Sequence, residues 1–146
     1  MGASIITRSG MKLLIFGFDG SMIKNPYVPH NHIKECIVYT GTHDNNTIKG
    51  WFDKEASPQD KERVYKYLGR QVTDQEISWE FVKLAMMSVA DTAIVPIQDA
   101  LGLGEEARMN LPAQPYGNWQ WRLLPGQASL ALAKKLADTS EIYGRA

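Results

Sequence analysis

Three short apolar runs in this chain each break off into a cluster of polar residues. Met11-Lys12-Leu13-Leu14-Ile15-Phe16-Gly17-Phe18 ends at the turn Asp19-Gly20. Glu35 to Gly41, built around Cys36-Ile37-Val38-Tyr39, ends at Thr42-His43-Asp44-Asn45. Ala93-Ile94-Val95-Pro96-Ile97 ends at Gln98-Asp99. Nearly continuous apolar runs of this length read as strands buried on both faces, as in a parallel sheet. The polar clusters then collect past the C-terminal ends of the strands, where α/β barrels and open sheets place their ligand-binding groups.

The intervening segments read mostly as helices. Ser57-Pro58-Gln59-Asp60 is a helix start, with Ser at the N-cap, Pro in the first turn and an acid following. That helix runs to Leu68 and stops at Gly69. Thr73-Asp74-Gln75-Glu76 has the form of a capping box. It opens a helix with Ile77, Phe81, Leu84, Ala85 and Val89 on a core-facing stripe. Ser129 to Tyr143 reads as a last amphipathic helix with Leu132, Leu136 and Ile142 on one side. Asn25 to His32 and Gly102 to Asn118 read as loops. The order is strand, loop, strand, helix pair, strand, loop, helix, which is the α/β class in its (β/α) form. A closed barrel of this kind takes eight strands and about 250 residues. Three strands in 146 residues read as part of a barrel.

Charge narrows the ligand. Lys plus Arg and Asp plus Glu number 16 each, so nothing electrostatic argues for nucleic acid or an anionic membrane surface. A neutral chain suits an uncharged ligand such as a sugar. Its four Trp and six Tyr offer flat faces to pyranose rings, although core packing uses the same residues. The lone Cys36 excludes an internal disulfide, reads as a small buried hydrophobe and makes a reducing cytoplasm the expected location. Met1 to Gly10 lacks the apolar stretch of a signal peptide, and no window approaches the roughly 20 apolar residues of a membrane span. His30, His32, Cys36 and His43 do not complete a tetrahedral set, so no metal is expected, and no Gly-rich phosphate loop is present. The chemistry concentrates at His43-Asp44, where an imidazole sits beside one carboxylate.

Several further motifs occur in order. They are Phe16-Gly17-Phe18-Asp19-Gly20, Asn25-Pro26-Tyr27, Val38-Tyr39-Thr40-Gly41-Thr42-His43-Asp44-Asn45, Ser88-Val89-Ala90-Asp91, Pro96-Ile97-Gln98-Asp99, Arg108-Met109-Asn110 and Gly117-Asn118-Trp119-Gln120-Trp121-Arg122. Together they closely resemble the C-terminal part of the 4-α-glucanotransferases, the amylomaltases or disproportionating enzymes of glycoside hydrolase family 77. The resemblance covers about residues 11–146, and residues 1–10 read as a segment outside it. Ile15 stands where the family commonly has Gln, Asn46 where Asp is frequent, and Pro112-Ala113 where it has proline-glycine.

The resemblance implies a (β/α)8 TIM barrel, of which this chain holds the three C-terminal βα units, strands six to eight. It implies a retaining enzyme that cuts an α-1,4-glucan and passes the glycosyl segment to a new 4-position, with no cofactor and no metal. Asp44 corresponds to the carboxylate that stabilises the oxocarbenium-like sugar without bonding to it. His43 corresponds to a histidine that binds the same ring. Phe16 and Asp19 fall on the acceptor side, and Asn110 is a substrate-binding amide. Trp119 and Trp121 read as packing with Arg122, and Gln98-Asp99 as a pair that orders the loops. The nucleophile and the acid/base follow strands four and five, which come before Met11 in the family pattern. The chain alone is therefore expected to be inactive. Its expected partners are maltooligosaccharides and other α-1,4-glucans. A protein partner would be the N-terminal barrel half, or a second copy joined through open sheet edges. The alternative reading is a non-catalytic glucan-binding module or an inert truncated one.

Overall fold

The computed structural model describes residues 10–146. Of the segment 1–10, therefore, all but Gly10 lies outside the described residues. At the centre is a three-stranded parallel sheet in the order β1 (Met11–Leu13), β2 (Ile37–Tyr39), β3 (Thr92–Ile94). Met11, Ile37 and Thr92 stand in register, as do Leu13, Tyr39 and Ile94. Helix α1 (Ile48–Gly50) continues into a π-helical turn, Trp51–Glu55. It is followed by α2 (Pro58–Leu68) and α3 (Ile77–Met87). After β3 come α4 (Ile97–Leu101), a long irregular segment and α5 (Leu130–Ile142).

One face of the sheet is covered. Val38 is fully buried, in a core with Leu14, Phe18, Ile48, Ile77 and Phe81. Phe18 and Phe81 meet with ring centroids 5.5 Å apart. Alternation along each strand sends its other side chains to the opposite face. There Met11 is 54% exposed and Ile94 42% exposed. Among the described residues the expectation of strands buried on both faces thus fails for one face. The residues that should lie under a second layer are Met11, Tyr39 and Ile94, and they line an apolar cavity of about 370 Å³ instead.

The strands are also shorter than the apolar runs. The first run leaves the sheet after Leu13 and coils into a 3-10 turn, Leu14–Phe16, closed by Gly17 N–H to the Leu14 carbonyl at 2.9 Å. A continuous apolar run does not distinguish a strand from a buried helical turn, and here Leu14 and Phe18 both point into the core. Gly17 is required at the bend, because a Cβ would lie 2.9 Å from Val28 Cγ1. The third run divides at Pro96, whose ring nitrogen has no hydrogen to give a ladder. Its carbonyl instead accepts the N–H groups of Asp99 and Ala100, starting α4.

The helix boundaries follow the caps. Ser57 and Asp60 form the reciprocal box, at 3.1 and 2.8 Å, and Gly69 ends α2 at φ 77°. Glu76 accepts from the Thr73 N–H at 2.8 Å ahead of α3. Ile77, Phe81, Leu84 and Ala85 are buried as expected. Val89 lies beyond the end of α3 and is exposed. On α5, Leu132, Leu136 and Thr139 turn inward, as does Tyr143 just past its end, while Ile142 faces out at 75% exposure. Among the described residues no helix is long and apolar enough to cross a membrane.

Candidate active-site loop

The residues between β2 and α1 form a loop fixed at both ends by one buried carboxylate. Asp99 is 2% exposed. It accepts the Thr40 hydroxyl on Oδ2 and the Ile48 N–H, 2.9 Å away, on Oδ1. Thr40 directly follows β2, and Ile48 is the first residue of α1. Burial pushes the Asp99 carboxyl above the usual carboxylate range, against the pull of these two donors. Gln98 donates to the Ala107 carbonyl at 3.2 Å, tying the next loop to the same point. The pair does order the loops, as the sequence suggested.

Inside the loop, side chains replace backbone ladders. Asn45 Oδ1 accepts from the Thr42 N–H at 2.9 Å and from the Thr42 hydroxyl at 3.0 Å, closing the turn from three residues on. Thr47 caps α1 by accepting the Gly50 N–H at 3.0 Å. Buried Asn46 donates to Glu55 Oε1 at 2.9 Å. Gly50 lies so close over Asn46 that a Cβ would meet its Oδ1 at 2.2 Å. This packing pushes His43 and Asp44 to the tip of the loop, where their side chains are 56% and 52% exposed.

A second segment meets the tip. Asp44 Oδ1 accepts from Asn110 Nδ2 at 2.7 Å and lies 3.3 Å from His43 Nε2. The Asn110 N–H also donates to the His43 carbonyl at 3.1 Å. Arg108 holds the arrangement from beneath. Its guanidinium donates to the Asp44 carbonyl at 2.9 Å, to the Asn110 carbonyl at 2.9 Å and to Glu55 at 3.3 Å. His43, Asp44 and Asn110 are therefore one hydrogen-bonded cluster. Phe16 and Asp19 line a cleft of about 280 Å³ that Asp44 also lines, together with Trp51, Glu55 and Arg108. Phe16 is 42% exposed, its ring set edge-on to Tyr27 at 5.8 Å.

Two residues of this site carry more than the sequence suggested. Arg108 reaches back 64 positions to Asp44 through a contact that no local spacing encodes. Arg122 ties to both tryptophans through their backbones, its guanidinium donating to the carbonyls of Trp119 and Trp121, both at 2.8 Å. The Trp119 ring lies over His43, with centroids 5.1 Å apart.

The other histidines have protein partners. His32 is buried, with Nε2 at 2.9 Å from the Tyr27 carbonyl and Nδ1 at 2.6 Å from Ser88 Oγ. A carbonyl only accepts, so Nε2 carries the proton, and burial holds the imidazole below its ordinary pKa. His30 Nδ1 lies 3.0 Å from the Tyr67 hydroxyl. Cys36 is buried and its thiol faces the Ile33 carbonyl.

Comparison with known proteins agrees in sequence and in shape. The family model described as 4-alpha-glucanotransferase matches residues 5–128. The chloroplastic/amyloplastic 4-alpha-glucanotransferase of Solanum tuberosum is 48% identical over 144 residues, covering 96% of this chain and 24% of the relative. The 4-alpha-glucanotransferase of Thermus thermophilus is 48% identical over 142 residues, covering 93% of this chain and 28% of the relative. In shape the chain is similar to an amylomaltase from Streptococcus agalactiae in complex with acarbose. That likeness has a TM-score of 0.86 at 32% identity, over 94% of this chain and 27% of the other. The chain spans about a quarter of the length of the curated relatives it matches. With its parallel sheet, its helices and this share of the sequence, the chain belongs to the 4-alpha-glucanotransferases of glycoside hydrolase family 77.

Proposed function

We propose that residues 11–146 are the part of a 4-α-glucanotransferase barrel that carries strands six to eight and the transition-state-stabilising carboxylate, Asp44. The whole enzyme transfers a segment of an α-1,4-glucan to a new 4-position on an acceptor by retaining double displacement. In this reading Asp44 and His43 hold the hydroxyls of the distorted sugar ring. A carboxylate there is suited to a sugar that gains positive charge in the transition state, because its stabilisation grows as the charge develops. Asn110 supplies an amide that both donates and accepts. Phe16 and Asp19 face the acceptor across the cleft they share with Asp44.

The observation that carries the proposal is the cluster itself. An exposed Asp44 is gripped by Asn110 at 2.7 Å, approached by His43 at 3.3 Å and anchored through its carbonyl by Arg108. Exposed carboxylate and imidazole edges at a strand end suit neutral, hydroxyl-rich ligands. Acarbose, the ligand named for the similar amylomaltase, is of that chemical class.

These 146 residues contain no assigned counterpart of the nucleophile or the acid/base. With one carboxylate of three, the chain by itself binds glucan without transferring it. Incubation with maltotriose, followed by chromatography of the products, tests this. The expected outcome is unchanged maltotriose. Longer and shorter glucans at an enzyme-like rate would contradict the assignment of the chemistry to other residues.

The open sheet supports the reading of a protein partner. Among the described residues β1 and β3 each have one neighbour, and the apolar face carrying Met11, Tyr39 and Ile94 is uncovered. A polypeptide supplying the remaining strands of the family fold would pair with these edges and cover that face.

A further inference from the structure

The backbone at Trp119 is in the left-handed region, at φ 64°. A bulky side chain rarely adopts that conformation, because its Cβ crowds the following carbonyl. Two contacts hold Trp119 there: its N–H donates to the Met109 carbonyl at 2.7 Å, and Arg122 donates to its carbonyl at 2.8 Å. Glycine would fit this turn with less strain, so the backbone alone does not account for an indole. The side chain does. Its ring lies over the His43 imidazole at 5.1 Å, with the planes 42° apart, and is still 50% exposed.

His43 needs such a support. Among the described residues its ring has one polar contact, Asp44 Oδ1 at 3.3 Å, which is long for a charge-assisted bond. An imidazole with its side chain 56% exposed and one long bond is free to turn about its terminal torsion. The Trp119 ring, tilted 42° to it, is the aromatic neighbour placed to restrict that turn. It also extends the cluster to a third segment, since Trp119 is anchored through Met109 to the strand of chain that carries Arg108 and Asn110.

We propose that Trp119 is a positioning residue that acts through His43. Its indole holds the imidazole plane so that Nε2–H faces Asp44, presetting the pair for a sugar hydroxyl. The inference deepens the glucan-holding reading of His43 and Asp44 and rests on it.

The test compares Trp119→Phe with Trp119→Gly in the full chain. If Trp119 serves only the shape of the turn, glycine matches or improves on the wild type. If it positions His43, phenylalanine substitutes and glycine does not. The first readout is the His43 ring in long-range proton–nitrogen spectra, above the imidazole titration range. Wild type and Trp119→Phe should show a single Nε2–H tautomer, and Trp119→Gly a mixture. The second readout is affinity for maltoheptaose. Trp119→Gly should weaken it about three- to tenfold, the range of one aromatic pair, with Trp119→Phe close to wild type. Trp119→Asn, which also tolerates the left-handed region, repeats the glycine comparison should the glycine variant disturb the amide spectrum. A single unchanged tautomer in the glycine and asparagine variants overturns the proposal. Failure of the wild-type chain to bind maltoheptaose would instead remove the glucan-holding reading, while the tautomer still decides whether Trp119 orients His43.

Discussion

Asp99 shows how one buried side chain can set the position of an exposed pair. Its two oxygens join the end of β2 to the start of α1, so the loop with His43 and Asp44 is suspended from it. Asp99→Ala leaves the Ile48 N–H without its acceptor and should lower stability by about 1–3 kcal/mol in urea denaturation. Asp99→Asn keeps an oxygen for Ile48 and places an amide against Thr40, so it should be milder. The pH dependence separates the two further. Burial raises the folded-state pKa of Asp99 above its unfolded value, so the folded protein binds this proton more tightly. That contribution is complete below the ordinary Asp range near ~3.9 and is lost as pH rises through the folded pKa. Wild type should therefore lose stability relative to Asp99→Asn across that window. A constant difference between the two would show that the carboxyl has the same pKa folded and unfolded. At this scale the legible residues were those in short motifs, His43, Asp44 and Asn110. Arg108 and Trp119 were not legible as parts of the cluster, because their contacts join segments 64 and 76 residues apart in sequence, as Arg108 to Asp44 and Trp119 to His43.

Among the elements, helices with chemical end signals were read nearly to the residue. Ser57, Asp60 and Gly69 bound α2 as expected, because capping is local hydrogen bonding that a few adjacent residues determine. Removing the cap with Ser57→Ala leaves the Asp60 N–H without its acceptor and should cost about 1 kcal/mol by thermal or urea denaturation. No change would mean that tertiary packing alone holds the first turn. The strands were legible as apolar runs but not in extent. Each forms only three sheet residues. The rest of each run turns into helical or irregular backbone, a distinction apolar composition does not make. The stripe of α5 was off at its end for a related reason. Thr139 is buried because its hydroxyl is satisfied by the Lys135 carbonyl at 2.7 Å, so a polar residue takes an inward place.

At the scale of the whole molecule, the sheet has helices on one face and an apolar cavity on the other. The α/β class was legible from strands and helices alternating along the chain. The face left uncovered among the described residues was not, because the sequence of a strand does not show what lies over each of its faces. The candidate site, by contrast, is built from residues within this chain: β2 and α1 fix the loop, and the segment through Arg108 and Asn110 closes on its tip. The central claim is that this cluster holds an α-1,4-glucan through Asp44. Titration calorimetry of the 146-residue chain with maltoheptaose tests it most directly, with Asp44→Ala as the paired variant. Saturable binding that is lost, or weakened at least tenfold, in Asp44→Ala is the predicted result, the scale of one hydrogen-bonded charged group. Absence of binding by the wild-type chain, or equal binding by Asp44→Ala, would contradict it.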